Sequence, residues 1–536
     1  MKKLLLILLF LLPFCGFSQE DAWVYFNDKP NAQTFLNNPL TMLTQRALDR
    51  RTAQGIALNI NDAPIEQTYI DQITAAAGIT VKAKSKWLNC LHIRGSIADI
   101  TALTSLPFVN HVHFANNALN AKMSIPKTVS PVNKQLDVQT TFNYGNSANQ
   151  IQMLNGQTLH QANDTGGGKI IAVLDAGFIG VNTIAPFTRM FTNNQYLGGY
   201  NFVAGSTDVF STHNHGTMAL SCMAGYVDGQ LVGTAPDAQY YLYITEDVTS
   251  ENPVEESYWV EGAEEADRVG ADIISTSLGY FAFDNTTYSH TYSEMTGNVA
   301  FASQGANIAF SKGIVVVASA GNDGGTADPH IGVPAEATNV LAIGAVQADR
   351  TYAAFSSIGP SFDNRIKPDV MAQGQDATLS LSDGTISTAS GTSFSCPIMA
   401  GMIASFWQAI PWATNAQVVQ FVKQSADRYT TPDTQYGYGI PDFGAALSIA
   451  LLNNQTIKSN DFLIAPNPTT TIFSVYLPAG IDKATITLYT TLGQVVTTQN
   501  MAAPLSNVSL EGLNSGVYFY KLESNSLSQS GKIIKE

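Results

Sequence analysis

Four side chains in this 536-residue chain have the types and the order needed for nucleophilic acyl transfer. Ser393 offers a hydroxyl, a poor nucleophile near neutral pH unless a neighbouring base takes its proton. His215 offers that base, since imidazole is the side chain whose ordinary pKa lies near neutrality. Asp175 offers a carboxylate that can fix the imidazole tautomer and stabilise the imidazolium. Asn322 offers a neutral amide donor for a developing oxyanion. The intervals are 40 residues from Asp175 to His215, 107 from His215 to Asn322 and 71 from Asn322 to Ser393. Taken singly, each has a plainer reading. Asp175 and Asn322 follow apolar runs and suit turns. Ser393, in a Gly-Thr-Ser turn before an apolar stretch, suits a helix N-cap. A structural histidine would serve at His215, although a helix amino end disfavours extra positive charge. His213 and His215 also form a His-x-His pair with the look of two metal ligands. No nearby Cys, Glu or third His completes a set.

The elements that must position these residues are legible as short apolar runs. Ile170–Leu174, Tyr240–Ile244, Ile273–Ser277, Ile314–Ala318 and Val340–Ala345 are each bounded by Gly, Asp or Asn. Such continuous runs suit strands buried on both faces of a parallel sheet. Pro253–Arg268 and Asn298–Lys312 read as helices closed by Gly270 and Gly313. Ile398–Ala409 reads as another helix. Strand and helix alternate over about 139–452, which implies an open α/β domain. In such sheets sites collect at the carboxyl ends of strands, where Asp175 and Asn322 fall.

Here the chain resembles the subtilisin-like serine proteases, or subtilases, on VLDAG at Asp175, HGTMA at His215, SAGN at Asn322 and GTSFSCP at Ser393. Secondary matches are GTAPDA at 233–238, Ser277-Leu278-Gly279, FSSIGP at 355–360 and KPDV at 367–370. The order Asp, His, Ser separates this group from the chymotrypsin-like and α/β-hydrolase orders. The resemblance implies an α/β fold with a mostly parallel sheet and helices on both faces. It implies a secreted endopeptidase with Asp175, His215 and Ser393 catalytic and Asn322 at the oxyanion. It further implies that Ser277, Leu278 and Gly279 pair with an extended peptide substrate. Gly332 would floor the pocket for the residue before the cleaved bond, with Asp323 at its rim. The chemistry requires no cofactor, and relatives use structural calcium. Departures from the pattern are Ala176 after the Asp, Met218 after His-Gly-Thr, and Phe394-Ser395 after the Ser. An alternative is a catalytically silent subtilase fold used as a surface binding or adhesion protein.

The flanks carry their own signals. Lys2 and Lys3, the apolar run Leu4–Phe14, and small Gly16 and Ser18 read as a secretory signal peptide over 1–18. Residues 19–115 read as a small α+β unit of order β-α-β-β-α-β, with helices at Pro64–Ala77 and Ser96–Leu106. It resembles subtilase propeptides in position, size and order, an ordinary accessory domain being the plainer reading. Residues 116–138 read as a linker with the processing site. Over 461–536 the period switches to two, as in a small antiparallel β-sandwich. That tail resembles the sorting domain of Bacteroidetes type IX secretion substrates on Pro466-Asn467-Pro468, LYTTLGQV at 488–495, LNSGVY at 513–518 and GKIIK at 531–535. A carbohydrate-binding sandwich is disfavoured because the tail has no Trp. The expected partners are protein or peptide substrates and the type IX machinery, with export through periplasm and outer membrane. Charged residues are only 13% against a usual figure of about 25%, and net charge is −15. That balance argues against nucleic acid as a partner. Beyond residue 18 no stretch reaches 18 apolar residues, so no membrane span is expected in the mature chain. Four Cys exclude a disulfide-dense scaffold. A bond between Cys222 and Cys396 is left open at this stage.

Overall fold

The computed structural model describes residues 19–120, 142–455 and most of 462–535. The expected signal peptide and most of the expected linker lie outside the described residues. The N-terminal unit is a four-stranded antiparallel sheet of β1 (Gln19–Phe26), β2 (Thr80–Ser85), β3 (Cys90–Ser96) and β4 (Val109–Phe114), in the order β2-β3-β1-β4. Its helices include α1 (Gln45–Ala53), which the periodicity does not announce, besides the expected helical segments at Gln67–Thr74 and Ile97–Ala102. A further short helix, Ala32–Asn37, is also new.

The central domain is a seven-stranded parallel sheet. Its strands are β5 (Ile170–Asp175), β6 (Tyr196–Asn201), β7 (Gln239–Ile244), β8 (Ile273–Thr276), β9 (Val315–Ser319), β10 (Leu341–Val346) and β11 (Val370–Gln373), in the order β11-β10-β9-β8-β5-β7-β6. Five of these occupy the expected apolar runs, and β6 and β11 are additions. The pleat sends alternate residues to opposite faces. Ile171 and Val173 of β5 pack into one apolar core with Leu220 and Met399. Ile170, Ala172 and Leu174 pack into a second core with Trp259, Ala302 and Ala306. The first face is covered by α2 (His215–Ala224) and α5 (Thr392–Ala409). The second is covered by α3 (Val254–Val269) and α4 (Phe301–Ser311). Two buried faces explain why these strands read as unbroken apolar runs.

The N-terminal sheet lies on α3 and α4. Trp23 stacks on Phe301 with ring centroids 5.0 Å apart, and its indole N–H donates to Ser257 Oγ at 2.9 Å. The Ser85 hydroxyl donates to Glu264 at 2.7 Å. At the far end of α3, Arg51 of α1 donates to Asp267 at 2.6 Å and to Asp62 at 2.8 Å. In the tail, antiparallel sheets of three and four strands enclose one core that includes Phe473, Ile486, Leu488, Val508 and Leu522.

Candidate active site

Asp175 is the last residue of β5 and is fully buried. Its Oδ1 accepts from the Ala176 backbone N–H at 2.8 Å and faces His215 Nδ1 at 2.8 Å. His215 is the first residue of α2, and its side chain is 24% exposed. This contact places the Nδ1 proton toward the carboxylate and leaves Nε2 as the free base. The Asp175 charge raises the imidazole pKa above its ordinary value, and burial works against it. Two glycines let strand end and helix start approach this closely. A Cβ on Gly216 would sit 2.6 Å from the Gly177 carbonyl oxygen. Gly177 has φ +151°, and a Cβ there would sit 2.4 Å from His213 N.

Ser393 is the second residue of α5, whose N-cap is Gly391. The serine is therefore inside the helix, and the N-cap reading of it does not hold. Its hydroxyl donates to the Ser277 carbonyl at 3.5 Å, and no hydrogen bond joins it to His215. Phe394, the next residue, has its ring 6.0 Å from the imidazole, which places the two helix starts side by side. A second bond ties Ser393 to the strand edge. Pro397 lacks the N–H that would otherwise reach back four residues to the Ser393 carbonyl. The Ser277 hydroxyl donates to that carbonyl instead, at 2.8 Å.

Asn322 follows β9 in the loop Ala320-Gly321-Asn322. Its Oδ1 accepts from the Thr392 backbone N–H at 2.9 Å and from the Thr392 hydroxyl at 3.0 Å. With Oδ1 so engaged, Nδ2 is the end turned to the Ser393 backbone. A Cβ on Gly391 would lie 3.7 Å from both Asn322 Nδ2 and Ser393 N. Two N–H donors thus face one small space, which the missing side chain of residue 391 keeps open. Thr392 was not singled out by the sequence, and its only signal is its place between Gly and Ser.

Ser277, Leu278 and Gly279 continue β8 past its carboxyl end, with Leu278 8% exposed. Gly332 lies beside this edge, where a Cβ would stand 3.6 Å from the Tyr280 carbonyl and 3.7 Å from Phe281. Tyr280 and Val333 form an antiparallel bridge that joins the edge to the Gly332 segment. The two histidines of the His-x-His pair do not converge. His213 Nδ1 accepts from the His215 backbone N–H at 3.2 Å, and the rings are 6.5 Å apart. Cys222 and Cys396 are unpaired buried thiols, each pushed up to about 12 by burial.

Comparison with known proteins gives the family of the chain. The description of the subtilase family matches residues 166–439. The chain belongs to the subtilase family. Subtilisin NAT of Bacillus subtilis subsp. natto is 30% identical over 299 residues, covering 55% of this chain and 70% of that protein. Subtilisin E of Bacillus subtilis (strain 168) is 30% identical with the same coverage. Subtilisin of Bacillus pumilus is 29% identical over 299 residues, 97% of its length. A Bacteroidota propeptide domain of this family matches residues 21–131, and a secretion system C-terminal sorting domain matches 463–536. This subtilase is a serine endopeptidase made as a zymogen, and it is secreted or held at the cell surface. Among the described residues, no helix is long and apolar enough to cross a membrane.

Proposed function

We propose that this subtilase cuts peptide bonds through an acyl-enzyme on Ser393. His215 Nε2 takes the hydroxyl proton as the oxygen attacks the scissile carbonyl, and later gives it to the leaving amine. Asp175 holds the imidazole by Nδ1 and stabilises its protonated form. The oxyanion is held by Asn322 Nδ2 and the Ser393 backbone N–H. The observation that carries this reading is the half-buried Asp175–His215 contact of 2.8 Å beside the helix start that bears Ser393. For reaction, the Ser393 hydroxyl leaves the Ser277 carbonyl and turns to Nε2. Such contacts are commonly loose in the free enzyme and tighten with substrate. No step draws on a metal or organic cofactor, and any calcium would be structural.

An extended substrate lies along Ser277–Gly279, with the side chain before the cut bond over Gly332. The N-terminal unit is cut away in the segment 116–138, and the type IX machinery reads the tail. The test is hydrolysis of casein and labelling by a serine-directed organophosphonate. Wild type is expected to be labelled and active, and Ser393→Ala neither. Unchanged casein hydrolysis by Ser393→Ala would exclude the proposed nucleophile.

A further inference from the structure

The loop before α2 holds a strained residue that the chemistry of Ser393 and His215 does not use. Among the described residues eight other than glycine have a positive φ, and six of these are Asn or Asp. Those two side chains tolerate the left-handed region, whereas a β-branched residue there is an outlier. Thr212, with φ +66°, is the one β-branched residue of the eight. It is also the centre of a three-residue turn, closed by the His213 N–H on the Ser211 carbonyl at 3.1 Å. With positive φ at its centre, a turn of this size is the rare and strained form. Thr212 is exposed, so burial does not hold it there. Strain of this kind persists only where neighbouring contacts over-determine it.

The contacts that do so run to the other half of the site. The Thr212 hydroxyl donates to the Ala176 carbonyl, with the Ser211 carbonyl a second acceptor at 2.8 Å. Ala176 follows Asp175, and its own N–H donates to the Asp175 carboxylate at 2.8 Å. One residue thus has its N–H on the carboxylate and its carbonyl on Thr212. Around it the two segments are laced together. The Phe178 N–H donates to the Val209 carbonyl at 3.1 Å, and the Ile179 N–H to the His213 carbonyl at 3.3 Å. A Cβ on Gly177 would stand 2.3 Å from Thr212 Oγ1, so a glycine there is what lets the hydroxyl reach across. Three residues after Thr212, His215 opens α2. The φ of residue 212 therefore aims two things at once, the hydroxyl at the strand end and the chain into the histidine's helix.

We propose that Thr212 is a positioning residue for the Asp175–His215 pair: its hydroxyl on the Ala176 carbonyl, aimed there by the left-handed turn, sets how close the start of α2 comes to the carboxylate. Without the hydroxyl the turn loses the contact that offsets its strain, and residue 212 relaxes toward negative φ. The chain from His213 to His215 then shifts relative to the end of β5. A slack contact weakens the hold of the carboxylate on the imidazole. Asp175 of β5 is the charge that raises the His215 pKa. His213 is its titratable neighbour on the loop, and α5 turns the uncharged Phe394 ring to it.

This inference rests on the proposed peptide-cutting site. Its test is the kinetics of an internally quenched peptide on enzyme expressed as the full chain, in wild type and three variants. Thr212→Val keeps the branching and loses the hydroxyl. Thr212→Gly removes the strain and loses the hydroxyl. Thr212→Ser keeps the hydroxyl. The valine and glycine variants are each expected to lower kcat by about tenfold with KM within about twofold, because a misplaced base costs rate rather than binding. The acid limb of kcat/KM is expected to move down by about 0.5 pH unit in both, as the imidazole loses part of its carboxylate coupling. Thr212→Ser is expected to restore both the rate and the limb. Neither KM nor the limb depends on the fraction of folded protein, so lost stability does not imitate the effect. Wild-type kcat and an unmoved limb in Thr212→Val or Thr212→Gly would overturn the inference. So would equal losses of kcat in all three variants with the limb in place, since the residue would then only hold the loop together. Organophosphonate labelling of the wild type runs alongside. A labelled, active wild type with unaffected variants sinks this inference alone, whereas an unlabelled and inert one sinks the peptide-cutting reading and this inference with it.

Discussion

Thr392 decides which way the Asn322 amide faces. Its backbone N–H and hydroxyl both donate to Oδ1, so the amide nitrogen has one remaining direction, toward the Ser393 backbone. Thr392→Val removes one of those donors while keeping the shape. The expected outcome is a kcat lower by on the order of tenfold with KM little changed, because in the proposed mechanism the amide serves the transition state rather than the bound substrate. Asn322→Ala removes the donor itself. The barrier should rise by about 2.7–4 kcal/mol, a figure measured on a subtilisin and carried to this relative rather than obtained from its structure. The imidazole sets the pH dependence. Protonated His215 cannot accept the serine proton, so activity is lost as pH falls through its pKa. Asp175 keeps that pKa above the usual 6.5. The acid limb of kcat/KM is therefore expected above pH 6.5, and a limb below it would contradict the charge coupling. Asp175→Asn should cost on the order of 10⁴-fold in kcat by favouring the wrong tautomer.

The strand edge and α5, which carries the proposed nucleophile, are joined at a gap in that helix. Pro397 withholds an N–H from the Ser393 carbonyl, and Ser277 supplies a hydroxyl in its place. Ser277→Ala should leave that carbonyl without a partner and cost roughly 1–3 kcal/mol of stability. In a Pro397→Ala background the new N–H can satisfy the same carbonyl. The cost of Ser277→Ala should then shrink, a coupling that a double-mutant cycle of urea midpoints reads directly. Additive costs would mean that the two sites do not share the carbonyl. None of this was legible in the sequence, because which carbonyl lacks a donor depends on the helix start, one residue earlier than Ser393. The candidate residues themselves were legible, since apolar runs and glycines mark where strands end. β6 was not, because Tyr196–Asn201 carries two glycines and no apolar run. Nor was α1, whose sequence QRALDRRTA has little apolar stripe to detect. Its arginines, not an apolar face, join it to the central domain.

That helix gives the whole molecule a second clasp, at the end of the sheet opposite the site. The N-terminal unit covers α3 and α4 with its sheet, and α1 reaches the amino ends of the central strands. There Arg46 contacts Asp272, which precedes β8, and Gln54 donates to the Gly313 carbonyl at 2.8 Å. Arg51 lies between Asp62 and Asp267, and Lys312 of the central domain donates to Asp62 at 2.8 Å. All four are buried, so removal of one leaves an uncompensated charge, at a cost of about 3–5 kcal/mol. A cut in the linker does not touch this clasp. The processed N-terminal unit is therefore expected to travel with the central domain as one complex in size-exclusion chromatography at pH 7. Burial pushes the Asp62 carboxyl up, but Arg51 and Lys312 outweigh it and hold it at about 2, below its ordinary 3.8. A lowered pKa in the bound state means that the stabilisation is full above about pH 4 and is lost as pH falls through 2. Acid should thus separate the two chains over that window. Asp62→Asn should loosen the complex already at neutral pH by leaving Lys312 unpaired. Independent elution of the two chains at pH 7 with Asp62 intact would show that the clasp does not hold, and that the unit is retained by its covalent link alone.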